Sequence, residues 1–82
     1  MTIYELINKC ASRLDKVRIE TYDTDFGDYN TIGLFTLPEL FSREGARARS
    51  HEVKSWWIED EYEHIHGDIR LIKRVLVAIV WG

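Results

Sequence analysis

The chain carries a single cysteine, Cys10, so it can close no disulfide on itself. That suits a reducing compartment and leaves a bound metal or a second subunit as the staples open to a small core. It has no apolar run near the ~20 residues that a bilayer-crossing helix needs. The longest, VLVAIVW from Val75 to Trp81, is far shorter. The N-terminus lacks the cationic and apolar signature of a secretory leader, and the expected location is the cytoplasm, with no membrane partner. Internal repeats and low-complexity tracts are missing. So are a P-loop, a dinucleotide fingerprint and the spacing of a Ser-His-Asp triad, which points away from an ordinary enzyme.

What is present fits one domain over residues 1–82. Hydrophobic residues fill 45% of the 82 positions and aromatics 12%, enough for one modest core and not for two. The formal charge of −3 is spread unevenly. Acids gather at Glu20, Asp23, Asp25 and Asp28, and again at Glu59, Asp60, Glu61 and Glu63. Displayed together, two such groups repel nucleic acid and attract a basic protein groove, so a protein partner is expected and direct nucleic-acid binding is not. The one basic run, Arg43, Arg47 and Arg49, reads as a solvated edge or an internal counter-charge.

Thr2 and Glu5 form a capping-box pattern, and Ile3, Leu6, Ile7, Cys10 and Leu14 then recur at helical spacing. This predicts an amphipathic helix of about three turns. From Lys16 the period changes to two, with Val17, Ile19 and Thr21 alternating with Arg18, Glu20 and Tyr22, which predicts a strand with one wet face. A polar connection from Asp23 to Asn30 precedes a second strand, TIGLFT, from Thr31 to Thr36. Thr36, Pro38 and Glu39 repeat the helix-start pattern for a short helix ending before Gly45, and 45–50 reads as loop. Val53–Ile58 and Ile69–Trp81 predict two further strands, apolar on both faces. Such strands are central and covered twice, or kept dry by another chain. The fold expected is α+β: a three- to four-stranded, mostly antiparallel sheet with the N-terminal helix packed on one face, and homodimer formation through the other.

His64-Ile65-His66 lies just before Gly67-Asp68, where the chain should turn. On an extended backbone the two imidazoles project from one side, about 7 Å apart, within reach of one zinc ion. His51 is the third histidine for such a site, with Asp23, Asp25, Asp60, Glu61, Asp68 and Cys10 as other candidate ligands. The competing reading is a pair of solvated surface histidines. Asp23-Thr24-Asp25-Phe26-Gly27-Asp28 fails as a calcium loop, because glycine stands fifth and position twelve is Leu34. It reads instead as an acidic turn capped by its own side chains. Cys10 falls on the apolar stripe of the helix and behaves there as a small hydrophobe. Adjacent residues of a strand face opposite ways, so of Trp56 and Trp57 one is expected in the core and Trp56 on a partner-facing surface.

The segments MTIYELI, VRIETYD, EVKSWWIEDE and LVAIVW resemble a loose group of small acidic proteins from phages and mobile elements of Gram-positive bacteria, over most of the chain. That group includes anti-CRISPR inhibitors, which bind a CRISPR effector nuclease, and a class described as metal-bound. The resemblance implies a non-enzymatic inhibitor, and its shared words are structural, so they transfer no residue roles. The residues themselves supply the site: Glu59, Asp60, Glu61 and Glu63 to steer, Tyr62 and Trp56 to anchor, and Asp23, Asp25 and Asp28 to extend the acidic surface. Two alternatives stand beside this reading. One is a metal-dependent nuclease using Asp23, Asp25, His64 and His66, and the other is a plain oligomerising module.

Overall fold

A computed structural model describes residues 1–10 and 14–81. In chain order the elements are α1 (Ile3–Lys9), β1 (Lys16–Asp23), β2 (Asp28–Phe35), α2 (Leu37–Phe41), α3 (Ala46–Arg49), β3 (Val53–Ile65) and β4 (Asp68–Val80). Both predicted capping boxes form. Glu5 N donates to Thr2 Oγ1 at 3.2 Å while Thr2 N donates to Glu5 Oε1 at 3.2 Å, and Thr36 and Glu39 make the same reciprocal pair at the start of α2. α1 ends at its Cys10 cap, shorter than the predicted three turns. The continuation toward Leu14 runs through 11–13, outside the described residues.

Three stretches depart from expectation, the first being β2, which begins at Asp28 inside the connection expected to run to Asn30. The predicted loop 45–50 contains α3, and Gly45 sits at the start of that turn. Its backbone passes so close to α2 that a Cβ would stand 2.5 Å from the Leu40 carbonyl oxygen, so glycine serves here for close approach. β3 continues well beyond Ile58, through the whole acidic run to Ile65.

The sheet is four-stranded in the order β2-β1-β4-β3. The outer pairings, β1 with β2 and β3 with β4, are antiparallel, whereas β1 and β4 run parallel at the centre, Lys16 opposite Val75 through Thr21 opposite Val80. The fold is thus α+β with the N-terminal helix on one face, and the sheet is mixed. One face carries Val17 and Ile19 of β1 and Leu76, Ala78 and Val80 of β4. These pack against Ile3, Leu6 and Ile7 of α1 and Leu40 of α2 to form the main core. We call this the helix face.

The other face explains how β4 stays dry without a second chain. Val75, Val77 and Ile79 point there and are 8%, 0% and 3% exposed, although they lie outside the cluster that the helices cover. Arg18 of β1 extends Nη2 to Glu59 Oε1 of β3 at 3.1 Å. β1 and β3 flank β4, two strand spacings or about 9.6 Å apart, so this pair must lie over β4. Trp57 Nε1 donates to the same Glu59 oxygen at 3.2 Å. Arg18 Nε approaches Glu20 Oε1 at 3.0 Å as an ion contact without hydrogen-bond alignment. The result is a strap of long side chains whose carbon stems seal the apolar row.

The charge pairing in the strap is partly solvated and contributes little by itself, about 0–1 kcal/mol. Covering Val77 is the larger effect. We therefore expect Arg18→Met, which keeps the stem, to stay within about 1 kcal/mol of wild type, and Arg18→Ala to be the more destabilised of the two in urea unfolding. Equal losses in both variants would show that charge, not cover, is what Arg18 supplies.

Candidate functional site

β1 accompanies β4 only from Val75 onward, so β4 from Asp68 to Arg74 pairs with β3 alone. The β3–β4 hairpin therefore extends past the four-stranded sheet as a two-stranded arm, and the molecule is 45 Å along its longest axis. Asp15 holds the base of the arm: Arg74 N donates to Asp15 Oδ2 at 2.8 Å and Asp15 N donates to the Arg74 carbonyl at 2.9 Å. At the tip, His66 (φ 50°) and Gly67 (φ 84°) take left-handed backbone between the paired residues Ile65 and Asp68. This is the geometry of a two-residue hairpin turn.

Residues directly opposite in the ladder share a face. Trp56 stands opposite Ala78, Ile58 opposite Leu76, Asp60 opposite Arg74 and Tyr62 opposite Leu71, all on the helix face of β3. The helices cover β1 and β4 but stop short of this edge. Trp56, Ile58 and Tyr62 remain 45%, 37% and 50% exposed, a strip along one strand. Asp60 fixes the middle of the strip: Arg74 Nε and Nη2 donate to its two oxygens at 2.7 and 3.0 Å, and Tyr62 Oη donates to Oδ2 at 3.2 Å. The pair orients Tyr62 and rigidifies the strip. Trp57 faces the opposite way, into the strap, and is 38% exposed, so neither tryptophan enters the core.

The acidic run is not an uncompensated patch. Glu59 is held by Arg18 and Asp60 by Arg74, while Glu61 stands opposite Lys73 and Glu63 opposite Arg70. The first half of β4 supplies cations almost in step with the carboxylates of β3. The other acids lie elsewhere. Asp23 Oδ1 accepts from the backbone N of Asp25 and Phe26, and Asp28 Oδ1 from that of Tyr29, all within the β1–β2 turn. Asp23 follows Thr21, which pairs with Val80, whereas Glu63 pairs with Arg70. That is roughly 33 Å along the sheet at ~3.3 Å per residue. The expectation of one joint acidic surface is therefore corrected to two poles, because the parallel β1–β4 pairing sends the two hairpins to opposite ends.

The same topology separates the predicted metal ligands. His64 and His66 belong to the arm, and the left-handed backbone at His66 ends the alternation that would aim both rings one way. His51 lies at the other end beside α3, lining a hollow of about 440 Å³ with Phe35, Ala48 and Arg47. Asp23 and Asp25 are likewise remote from the arm, so the nuclease constellation is not assembled. Among the described residues no group of three or more His, Cys, Asp or Glu side chains comes together. Cys10 packs against the main core. Of the basic run, Arg49 is committed to α2, its Nη1 donating to the carbonyls of Leu40 and Ser42 at 2.9 and 2.7 Å.

Sequence reading missed Ile58, Arg74 and Arg18 as parts of this surface. Ile58 was legible, since it keeps step with Trp56 and Tyr62 along one strand. The arginines were not, because their partners lie on other strands. Comparison with protein-family models, curated proteins and solved structures returns no match.

The Arg74 guanidinium, through its hydrogen bonds and charge, holds the Asp60 carboxyl below the usual carboxylate range. A carboxyl depressed in the folded state contributes stability above its unfolded pKa of ~3.9, and that contribution is lost as pH falls through the lower folded value. Acid titration followed by urea unfolding should show a steep loss below about pH 4 in wild type and a shallower one in Asp60→Asn. Parallel acid limbs would show that the pair does not couple to folding.

Proposed function

We propose that this chain is a non-enzymatic protein-binding module that docks through the helix-face strip of β3, with Trp56, Ile58 and Tyr62 as apolar anchors. The observation that carries this reading is their alignment on one edge strand, exposed and held in place by the Asp60–Arg74 pair, in a chain whose candidate catalytic groups lie far apart. Tryptophan and tyrosine are the side chains from which interfaces draw most of their energy.

The acidic contribution is narrower than two whole clusters. Glu59 and Asp60 serve the fold through Arg18 and Arg74, which leaves Glu61 and Glu63 on the exposed arm to complement a basic rim on the partner. The partner class is a protein with an apolar groove edged by Lys or Arg. A CRISPR effector nuclease is the particular partner that the resemblance to phage-encoded inhibitors suggests, and cytoplasmic action follows the same reading. No helix among the described residues is long and apolar enough to cross a membrane.

The test uses tagged protein as bait in lysate of a candidate host, with Trp56→Ala, Tyr62→Ala and the double reversal Glu61→Lys/Glu63→Lys beside wild type. Each aromatic truncation should weaken capture of the partner by roughly 10-fold or more, the effect of an interface hot spot. The charge reversal should weaken capture chiefly at low salt. Reversing Glu59 or Asp60 is uninformative, since it breaks the strap or the arm. Capture indifferent to Trp56 and Tyr62 would remove the strip as the interface, and hydrolytic turnover by the pure protein would remove the non-enzymatic reading.

A further inference from the structure

We propose that the hollow between β2 and α3 is a binding site for a free α-amino acid with an apolar side chain. It rests on no assumption about what the Trp56 strip binds.

The hollow lies at the end of the molecule remote from the arm, and its volume of about 440 Å³ falls in the range of small-molecule sites. Phe35 and Ala48 make its floor, since both pack against the main core, and the 44% exposed Ile32 borders it. Gly33 shapes that floor. It stands opposite Ile19 as Phe35 stands opposite Val17, so both are on the helix face. The Phe35 ring folds back over Gly33, where a Cβ would come within 2.6 Å of Phe35 Cζ. The backbone at Gly33 is not left-handed, so glycine here makes room for the ring and not for a turn.

Glu44, Arg47 and His51 complete the lining. Glu44 and Arg47 are exposed and His51 is half-buried. None of the three side chains makes a hydrogen bond or ion pair with another described residue. Arg49, by contrast, is spent on the carbonyls of Leu40 and Ser42. Glu44 and Arg47 stand three residues apart across the turn that leads into α3, close enough for one small molecule to touch both.

The lining thus offers one carboxylate, one guanidinium and one imidazole above an apolar floor. That combination selects the ligand. A simple carboxylic acid suits Arg47 but meets Glu44 as a like charge, and a simple amine reverses the conflict. A molecule that carries both charges on one carbon answers both. Its carboxylate accepts from Arg47, with the His51 ring beside it, and its ammonium donates to Glu44. The apolar side chain then lies on Phe35 and Ala48, which favours leucine- or phenylalanine-like ligands over glycine.

The probe is L-phenylalanine, titrated into isotope-labelled protein and followed by amide NMR. Hydrocinnamate, which lacks the ammonium, and phenethylamine, which lacks the carboxylate, are titrated beside it. Amide shifts should centre on Ile32, Phe35 and Ala48, and phenylalanine should bind roughly 5-fold tighter or more than either analogue. Glu44→Gln should bring phenylalanine down to the level of hydrocinnamate, and Arg47→Met should bring it down to that of phenethylamine. Both positions are exposed and unpaired among the described residues, so these variants keep the fold. Gly33→Ala, which displaces the Phe35 ring, should weaken all three ligands while the two charge variants separate them. Absence of shifts at millimolar phenylalanine overturns the proposal. So do shifts centred on the Trp56 strip, an analogue that binds as tightly as phenylalanine, or affinity unchanged in both Glu44→Gln and Arg47→Met. Since Trp56, Ile58 and Tyr62 stay intact in all these variants, failure here leaves the binding strip untouched, and failure of the strip leaves the hollow.

Discussion

The cover that the stems of Arg18, Glu59 and Trp57 lay over β4 decides what kind of surface the second face of the sheet presents. β4 is apolar on both sides, and the helical layer is large enough to cover only one. Reaching over β4 from its two neighbours, Arg18, Glu59 and Trp57 close the other side with their own carbon stems. A face that the residues alone mark for a second chain is thereby sealed from within. Exposed apolar surface is displaced outward to β3, beyond the reach of strap and helices alike.

That displacement links core to site. Trp56 and Ile58 lie level with Ala78 and Leu76, two of the most deeply buried positions on β4, yet they fall outside the cover of the helices. Past Arg74 the arm has no third strand beside it among the described elements, and its order depends on polar contacts instead of a core. Asp15 ties the base, and Asp60 with Arg74 and Tyr62 ties the middle. The same carboxylate therefore supports the arm and orients the exposed Tyr62.

Much of the local structure was legible. Both capping boxes, the helical stripe from Ile3 to Leu6 and Ile7, the alternation through Val17 and Ile19, and the turn at Gly67 depend on neighbours within a few residues. The misses have one origin. α3 has no apolar periodicity to announce it. β3 runs on through Glu59–Glu63 because Arg18, Lys73, Arg74 and Arg70 stand beside those acids, and a polar run with in-step counter-charges pairs as well as an apolar one.

By itself the amino-acid order determined most of the element types, the α+β class and the side chains with chemistry to offer. Periodicity, capping and chain length are local or additive properties, and they survive without knowledge of the partners. Only the tertiary structure decided which charges meet. The parallel β1–β4 pairing sends the Asp23–Asp28 turn and the His64–His66 tip to opposite ends, and it sets Arg18 and Glu59 on either side of one strand. Those separations and contacts come from strand order, which no periodicity encodes, because it is fixed by how faces of distant segments bury one another.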